Sequence, residues 1–191
     1  LLSDEVYEHI VFDGKPHASL SRRPLLAEHA FVISSFGKTY HTTGWKVGYC
    51  CAPRQLSAEL RKVHQFMVFT VSSPMQFALA EYMANPKPYL DLPAFYQAKR
   101  DRLAAGLANT RFRPLPSPGT FFMLADYSEI TKHAEADFAR HLTIDHGVTV
   151  IPVSAFYQNP AAPESNHHLV RFCFAKQDAT LDAAIERLAH V

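Results

Sequence analysis

Apolar residues recur with two different periods along this chain, and the switches between them mark out its elements. The run Phe31-Val32-Ile33, continuing to Phe36, predicts a strand over 31–36, and residues 47–52 predict a second, stopped by Pro53. From Gln55 the period lengthens: Leu56, Leu60, Val63 and Met67 share one helix face. Ser72-Ser73-Pro74 interrupts that helix, and Pro74 suits the first turn of the next, which carries Met75, Leu79 and Met83. Asn85-Pro86-Lys87-Pro88 is a turn cluster and sets the expected domain boundary. Beyond it a long helix is expected over 89–107, and strands over 112–115 and 120–125. An amphipathic helix follows over 136–146, closed by Gly147. A strand over 148–153, a polar loop over 157–167, an alternating strand over 169–174 and a final helix on Leu181, Ala184, Ile185 and Leu188 complete the chain. The first part, 1–88, reads as a piece of a parallel α/β sheet with helices, and 89–191 as a smaller α+β unit.

Composition narrows the function classes. Of 191 residues, 48% are hydrophobic, enough to bury a sizeable core in one or two domains. The formal net charge of +1 supplies no electrostatic footprint for nucleic acid or an anionic membrane. The 11 histidines are scattered, and the adjacent pair His167-His168 cannot easily aim both rings at one metal, so no metal is expected. Three cysteines, two of them neighbours at Cys50 and Cys51, point to reduced thiols and the cytoplasm rather than a disulfide framework. No apolar run approaches the roughly 20 residues that span a bilayer. No signal-peptide pattern precedes Asp4 and Glu5.

The candidate chemistry centres on Lys38. It follows the apolar strand, small and hydroxylated residues surround it, and a second cation stands at Lys46. A strand ending in such a loop can aim an amine into a cleft, where desolvation or a nearby cation prepares it to condense with an aldehyde. The plainer reading is a solvated loop lysine. Residues 1–7 read as the end of a buried strand, and α/β proteins place ligands at the carboxyl ends of parallel strands. Asp4 there is a turn cap or a functional carboxylate. Tyr7 is a half-buried strand-end tyrosine or a hydrogen-bond donor. Arg171 stands mid-strand between apolar neighbours, where an unpaired guanidinium is costly. Its partner is either a structural carboxylate or the carboxylate of a ligand.

Four pieces then fall in order: Asp-x-x-Tyr at Asp4 and Tyr7, Ser-x-x-Lys at Ser35 and Lys38, a basic residue at Lys46, and a strand arginine at Arg171. Together they resemble the class I/II aminotransferases of fold type I. The stretch from His41 to Cys50 resembles the bacterial methionine aminotransferases of the kynurenine aminotransferase/glutamine transaminase K group. The resemblance runs along essentially the whole chain, and the family's chains are longer. It implies an α/β fold made of the C-terminal half of such an enzyme. Residues 1–88 would be the last part of the large cofactor domain, a mainly parallel sheet with helices, and 89–191 the small α+β C-terminal domain.

The resemblance implies pyridoxal 5'-phosphate as cofactor and assigns roles. Lys38 condenses with its aldehyde and serves as base, Asp4 sits beside the pyridine nitrogen, and Tyr7 donates to the ring's phenolate oxygen. Ser35 and Lys46 hold the phosphate, and Arg171 grips the substrate α-carboxylate. Lys46 stands where the family more often has arginine, so the phosphate would meet a point charge rather than a fork. Ser34 faces away from Ser35 in an extended strand, and Glu5 faces away from Asp4. Gly119-Thr120-Phe121-Phe122 resembles a segment facing the substrate, although its rings read equally as core. Ser72 and Ser73 resemble a segment that reaches the neighbouring subunit's site in the family's homodimer, and Trp45 and Tyr49 read as packing.

The implied reaction is transamination of an amino acid with a 2-oxo acid, with methionine the favoured donor and aromatic amino acids or glutamine next. A carbon–sulfur β-lyase would use the same residues, and an aminotransferase-like sensor domain of a transcription regulator is a third reading. The loop that cradles the phosphate and the ring that stacks on the pyridine are expected upstream of Leu1. These 191 residues alone are therefore not expected to be a competent transaminase.

Overall fold

Three strands organise the first unit of the computed structural model, which describes residues 1–191 and divides into Leu1–Pro93 and Ala94–Val191. Strand β1 (Leu2–Asp4) runs parallel to β2 (Phe31–Ser35), with Leu2 opposite Phe31 and Asp4 opposite Ile33. A parallel pair needs a crossover, and the chain between the two strands supplies it, with the short helix α1 (Pro24–Ala27). Strand β3 (Gly48–Cys51) lies antiparallel on the other edge of β2, with Ile33 opposite Cys50 and Ser35 opposite Gly48. One ladder of this sheet is thus parallel and the other antiparallel.

Alternation along β2 buries Val32 and Ser34 and leaves Phe31, Ile33 and Ser35 half-buried. Paired residues share a face, so Asp4, Ile33 and Cys50 lie on the same side of the sheet as Ser35. Helix α2 (Phe36–Thr39) begins where β2 ends. Ser35 caps it, its Oγ accepting from the Gly37 N–H at 3.3 Å. Helices α3 (Arg54–Met67), α4 (Ser73–Met83) and α5 (Lys87–Leu90) follow. The apolar stripe expected of α3 forms but is uncovered: Val63 is 53% and Met67 79% exposed, and no residue of the helix is buried.

The single helix expected over 89–107 is instead two, α5 and α6 (Leu92–Leu107). Pro93 explains the break, because it has no N–H to continue a preceding helix and suits the first turn of a new one.

The second unit is a four-stranded antiparallel sheet with helices. Its strands are β4 (Arg113–Pro114), β5 (Phe122–Asp126), β6 (Ile151–Pro152) and β7 (Leu169–Cys173), in the order β4-β5-β7-β6. Met123 faces Phe172 and Ala125 faces Val170, and all four are buried. Phe112 packs on Phe172 and Phe138 at ring distances of 5.7 and 5.9 Å, and Leu103, Leu107, Leu142, Leu181 and Leu188 extend the core. Each such side chain contributes roughly 1.5–3 kcal/mol of burial free energy. The alternate residues Phe122, Leu124, Arg171 and Cys173 occupy the other face and are only half-buried.

Helix α7 (Glu135–Asp145) ends at His146, and Gly147, at φ 64°, turns the chain so that the Val148 N–H returns to the Leu142 carbonyl at 3.0 Å. The strand expected over 148–153 is reduced to Ile151–Pro152, and it ends there because Val153–Phe156 coil into a 3-10 turn. Helix α8 (Asp178–Leu188) closes the chain. No helix is long and apolar enough to cross a membrane.

Candidate active site

Ser35 closes β2, and Lys38 follows it by three residues, half-buried within the one-turn helix α2. What fixes this turn is the segment after it. The Gly37 carbonyl accepts from the Thr42 N–H at 3.0 Å and the Thr43 hydroxyl at 3.2 Å. A 3-10 turn, Thr43–Trp45, then ends at Lys46, which takes the left-handed conformation at φ 57° and ψ 39°. A non-glycine residue costs on the order of 1 kcal/mol there, so the backbone at Lys46 is held by its surroundings. Ser35, Gly37, Thr43 and Lys46 border one cavity of about 810 Å³.

Asp4 stands at the carboxyl end of β1, exposed, on the sheet face it shares with Ser35. Its Oδ1 accepts from the Val6 N–H at 3.2 Å. The turn-capping role is therefore physically present and occupies one carboxylate oxygen. Tyr7 lies in the tight turn that follows, half-buried, its carbonyl accepting from the Ile10 N–H at 2.9 Å. Asp4, Tyr7, Ser35 and Lys38 all stand at or just past the carboxyl ends of the parallel pair, the side on which such sheets bind ligands. Of the five candidates in this unit, Ser35 and Lys46 share the cavity, whereas Asp4, Tyr7 and Lys38 do not border it.

The opposite face of the same strands carries a polar network that the sequence pattern did not single out. Glu5 is buried and accepts from the Ser3 hydroxyl at 3.0 Å, His17 Nε2 at 2.9 Å and the Leu20 N–H at 2.9 Å. Burial by itself would raise its carboxyl. The hydrogen bonds from His17, Ser19, Leu20 and Ser3 outweigh that and hold it down at about 2. Glu8 accepts from the Ser34 hydroxyl at 2.8 Å and from the Tyr49 hydroxyl. Burial and the bond to Glu8 push the Tyr49 hydroxyl up to about 12. Ser34 and Tyr49 are opposite one another across β2 and β3, a register that no local motif announces.

Arg171 belongs to the second unit. It sits mid-β7, flanked in register by Leu124 and Ile151. Its guanidinium carbon lies 4.0 Å from the centre of the Phe122 ring and 4.8 Å from that of Phe156. Its Nε is buried and has no hydrogen-bond partner. The ion pairs of this unit, such as Lys99 with Asp178 and Arg113 with Asp126, do not involve it. Two aromatic faces hold the cation, each worth roughly 0.5–2 kcal/mol, and a planar fork of N–H donors is left for an acceptor. Arg171, Phe122, Ile151 and Cys173 border a cavity of about 620 Å³. Phe122 is thus a wall of this site. Phe156 was invisible in the sequence because it lies 15 residues earlier, in an irregular turn, 61% exposed. Ser72 takes the N-cap position of α4 without a side-chain capping bond.

The class I and II aminotransferase family matches residues 1–188. Methionine aminotransferase of Escherichia coli (strain K12) is 51% identical over 189 residues, which are 98% of this chain and 48% of that protein. Kynurenine–oxoglutarate transaminase of Dictyostelium discoideum is 37% identical over 211 residues, 98% of this chain and 47% of that one. Among solved structures, YbdL from Escherichia coli, for which a methionine aminotransferase function has been identified, matches with a TM-score of 0.93 and 51% identity. That match covers 100% of this chain and 50% of that chain. The chain therefore spans about half the length of the curated relatives it matches. With its whole length matched in both sequence and fold, the chain belongs to the class I and II aminotransferases, a family of pyridoxal-phosphate-dependent enzymes.

Proposed function

We propose that this protein transfers the amino group of an amino acid, methionine foremost, to a 2-oxo acid with the help of pyridoxal 5'-phosphate. The observation that carries the reading is the end of β2. A capping serine, Ser35, precedes Lys38 by three residues and shares its cavity with the cation Lys46. Methionine is preferred because the 51% identical relative acts on it.

The donor set suits the cofactor. A hydroxyl and an ammonium beside one cavity match a phosphate. A carboxylate and a phenol at the neighbouring strand end match a pyridine nitrogen and a ring oxygen. The half-buried amine matches an aldehyde. When bound, pyridoxal phosphate supplies an electron sink for the bonds at the substrate α-carbon.

The chain's own residues then divide the work. Ser35 and Lys46 hold the phosphate, and Lys38 holds the aldehyde carbon. Asp4 keeps the ring nitrogen protonated by opposite charge. Tyr7 donates to the ring oxygen. Once substrate has taken its place, the freed Lys38 amine would be the base for the proton at the substrate α-carbon. Arg171 orients the substrate by its α-carboxylate, which is positioning catalysis.

Two further points belong to this proposal. The uncovered stripe of α3, with Phe66 86% exposed in the same helix and Phe69 82% exposed just beyond it, supports assembly as a homodimer. Three free cysteines suit a reducing compartment such as the cytoplasm. The relatives described above are aminotransferases, and no observation favours the β-lyase or the regulator.

The test is borohydride reduction of the cofactor-loaded, full-length protein followed by peptide mapping. A pyridoxyl label on Lys38 is expected. A label on another lysine overturns the assignment.

A further inference from the structure

Glu135 is 1% exposed, a carboxylate sunk beneath the surface in the first turn of α7. An isolated charge in such a place is expensive, so its partners show what it is for. They are backbone N–H groups. Oε1 accepts from His167 at 3.0 Å and from Leu169 at 2.9 Å, and Oε2 accepts from Ser154. His168, between the first two donors, takes φ 58°, and its two neighbours aim their N–H groups at one oxygen.

These three donors come from two separate segments, and each leads directly to the arginine site. Leu169 opens β7, and Arg171 is two residues further along that strand. Ser154 lies in the 3-10 turn Val153–Phe156, whose last residue lays its ring 4.8 Å from the Arg171 guanidinium. One carboxylate therefore pins both the strand that carries the cation and the turn that carries one of its two aromatic walls. A carboxylate offers two acceptor oxygens, and here one of them serves each segment.

We propose that Glu135 is a positioning residue for substrate binding: it sets Phe156 against Arg171 so that the guanidinium fork is held ready for the substrate carboxylate. The proposal rests on the reading of Arg171 given above. Glu135 touches neither substrate nor cofactor in this role and acts through the backbone of two segments.

The experiment uses the full-length, cofactor-loaded protein and three variants: Glu135→Gln, Arg171→Lys and the double variant. Methionine affinity is read from the cofactor's absorbance, and kcat is measured at saturating methionine. Glutamine keeps the shape but removes one acceptor, so one segment is released. Glu135→Gln should weaken methionine binding about tenfold, with kcat within about threefold and the cofactor retained. In the Arg171→Lys background it should add little, because both changes act on one contact.

Unchanged methionine affinity in Glu135→Gln, beside a clear loss in Arg171→Lys, overturns the proposal and leaves the arginine reading standing. Unchanged affinity in Arg171→Lys overturns the reading itself. Losses that simply add in the double variant also overturn the proposal, since they mark a general effect on folding. If Glu135→Gln does not accumulate as folded protein, Glu135→Asp carries the same test. It retains the charge and withdraws it by one methylene.

Discussion

Gly37 and Thr43 approach so closely that a Cβ placed on Gly37 would lie 2.9 Å from the Thr43 Cα and 3.4 Å from the Ser35 Oγ. The first of these atoms is backbone, so the clash cannot be relieved by a rotamer change. Gly37 thereby presses the turn carrying Lys46 against the turn carrying Lys38. Gly37→Ala should cost about 1–3 kcal/mol of stability and weaken cofactor binding, because residues 43–46 must move away from Ser35. Urea unfolding and titration with pyridoxal phosphate check both parts. If both are unchanged, the contact is not what sets the spacing.

Lys46 supplies the charge beside Ser35. Replacing it with methionine keeps the stem and removes the ammonium. A lost charge-assisted hydrogen bond is worth about 1.5–3 kcal/mol, or roughly 10- to 100-fold in affinity for pyridoxal phosphate. Pyridoxal, which lacks the phosphate, should bind both proteins equally. An equal loss for the two compounds would remove Lys46 from the phosphate site.

Glu5 gives a dependence on pH whose direction can be worked out. Its carboxyl is held at about 2, below the ordinary value of 4.5, so the unfolded chain takes up this proton first as pH falls. The stabilisation is complete above about 4.5 and is lost as pH drops toward about 2. The urea midpoint should fall across this window, and the fall should be smaller in Glu5→Gln. Identical profiles for the two proteins would assign the acid sensitivity to other groups.

Gly106 marks a close approach of α6 and α8. A Cβ there would meet Cγ1 and Cγ2 of Ile185 at 2.6 and 2.7 Å. Both atoms sit on a branched carbon, so no single rotation clears them. Gly106→Ala should destabilise by about 1–3 kcal/mol despite alanine's better helix propensity. Ile185→Ala should cost less in the Gly106→Ala background than in the parent. A stabilised Gly106→Ala protein would show that the helices can separate without penalty.

The sequence was most readable where one local rule decided the outcome. β2 and β7 follow from short apolar runs, and α7 from its period and from Gly147 at its end. The resemblance named Asp4, Ser35, Lys38, Lys46 and Arg171, and each of them stands at a strand end, in a turn or in a strand that the pattern already located. Pro93 was present to be read as a helix break, but the apolar residues on either side of it suggested continuity. The partners were not legible. Phe156 meets Arg171 through an irregular turn, Glu135 meets Ser154 across 19 residues and Leu169 across 34, and Tyr49 meets Glu8 across 41. Such contacts are set by how elements pack, and no window of neighbouring residues contains them.

The alternation of β7 has an evolutionary consequence. Val170 and Phe172 are committed to the core, while Arg171 and its neighbours across the sheet, Leu124 and Ile151, occupy the opposite surface. Exchanges at Leu124, Ile151 or Phe156 reshape the surroundings of the arginine without disturbing the interior that keeps the unit folded. The surroundings of the arginine can therefore vary at little risk to the folding of this unit.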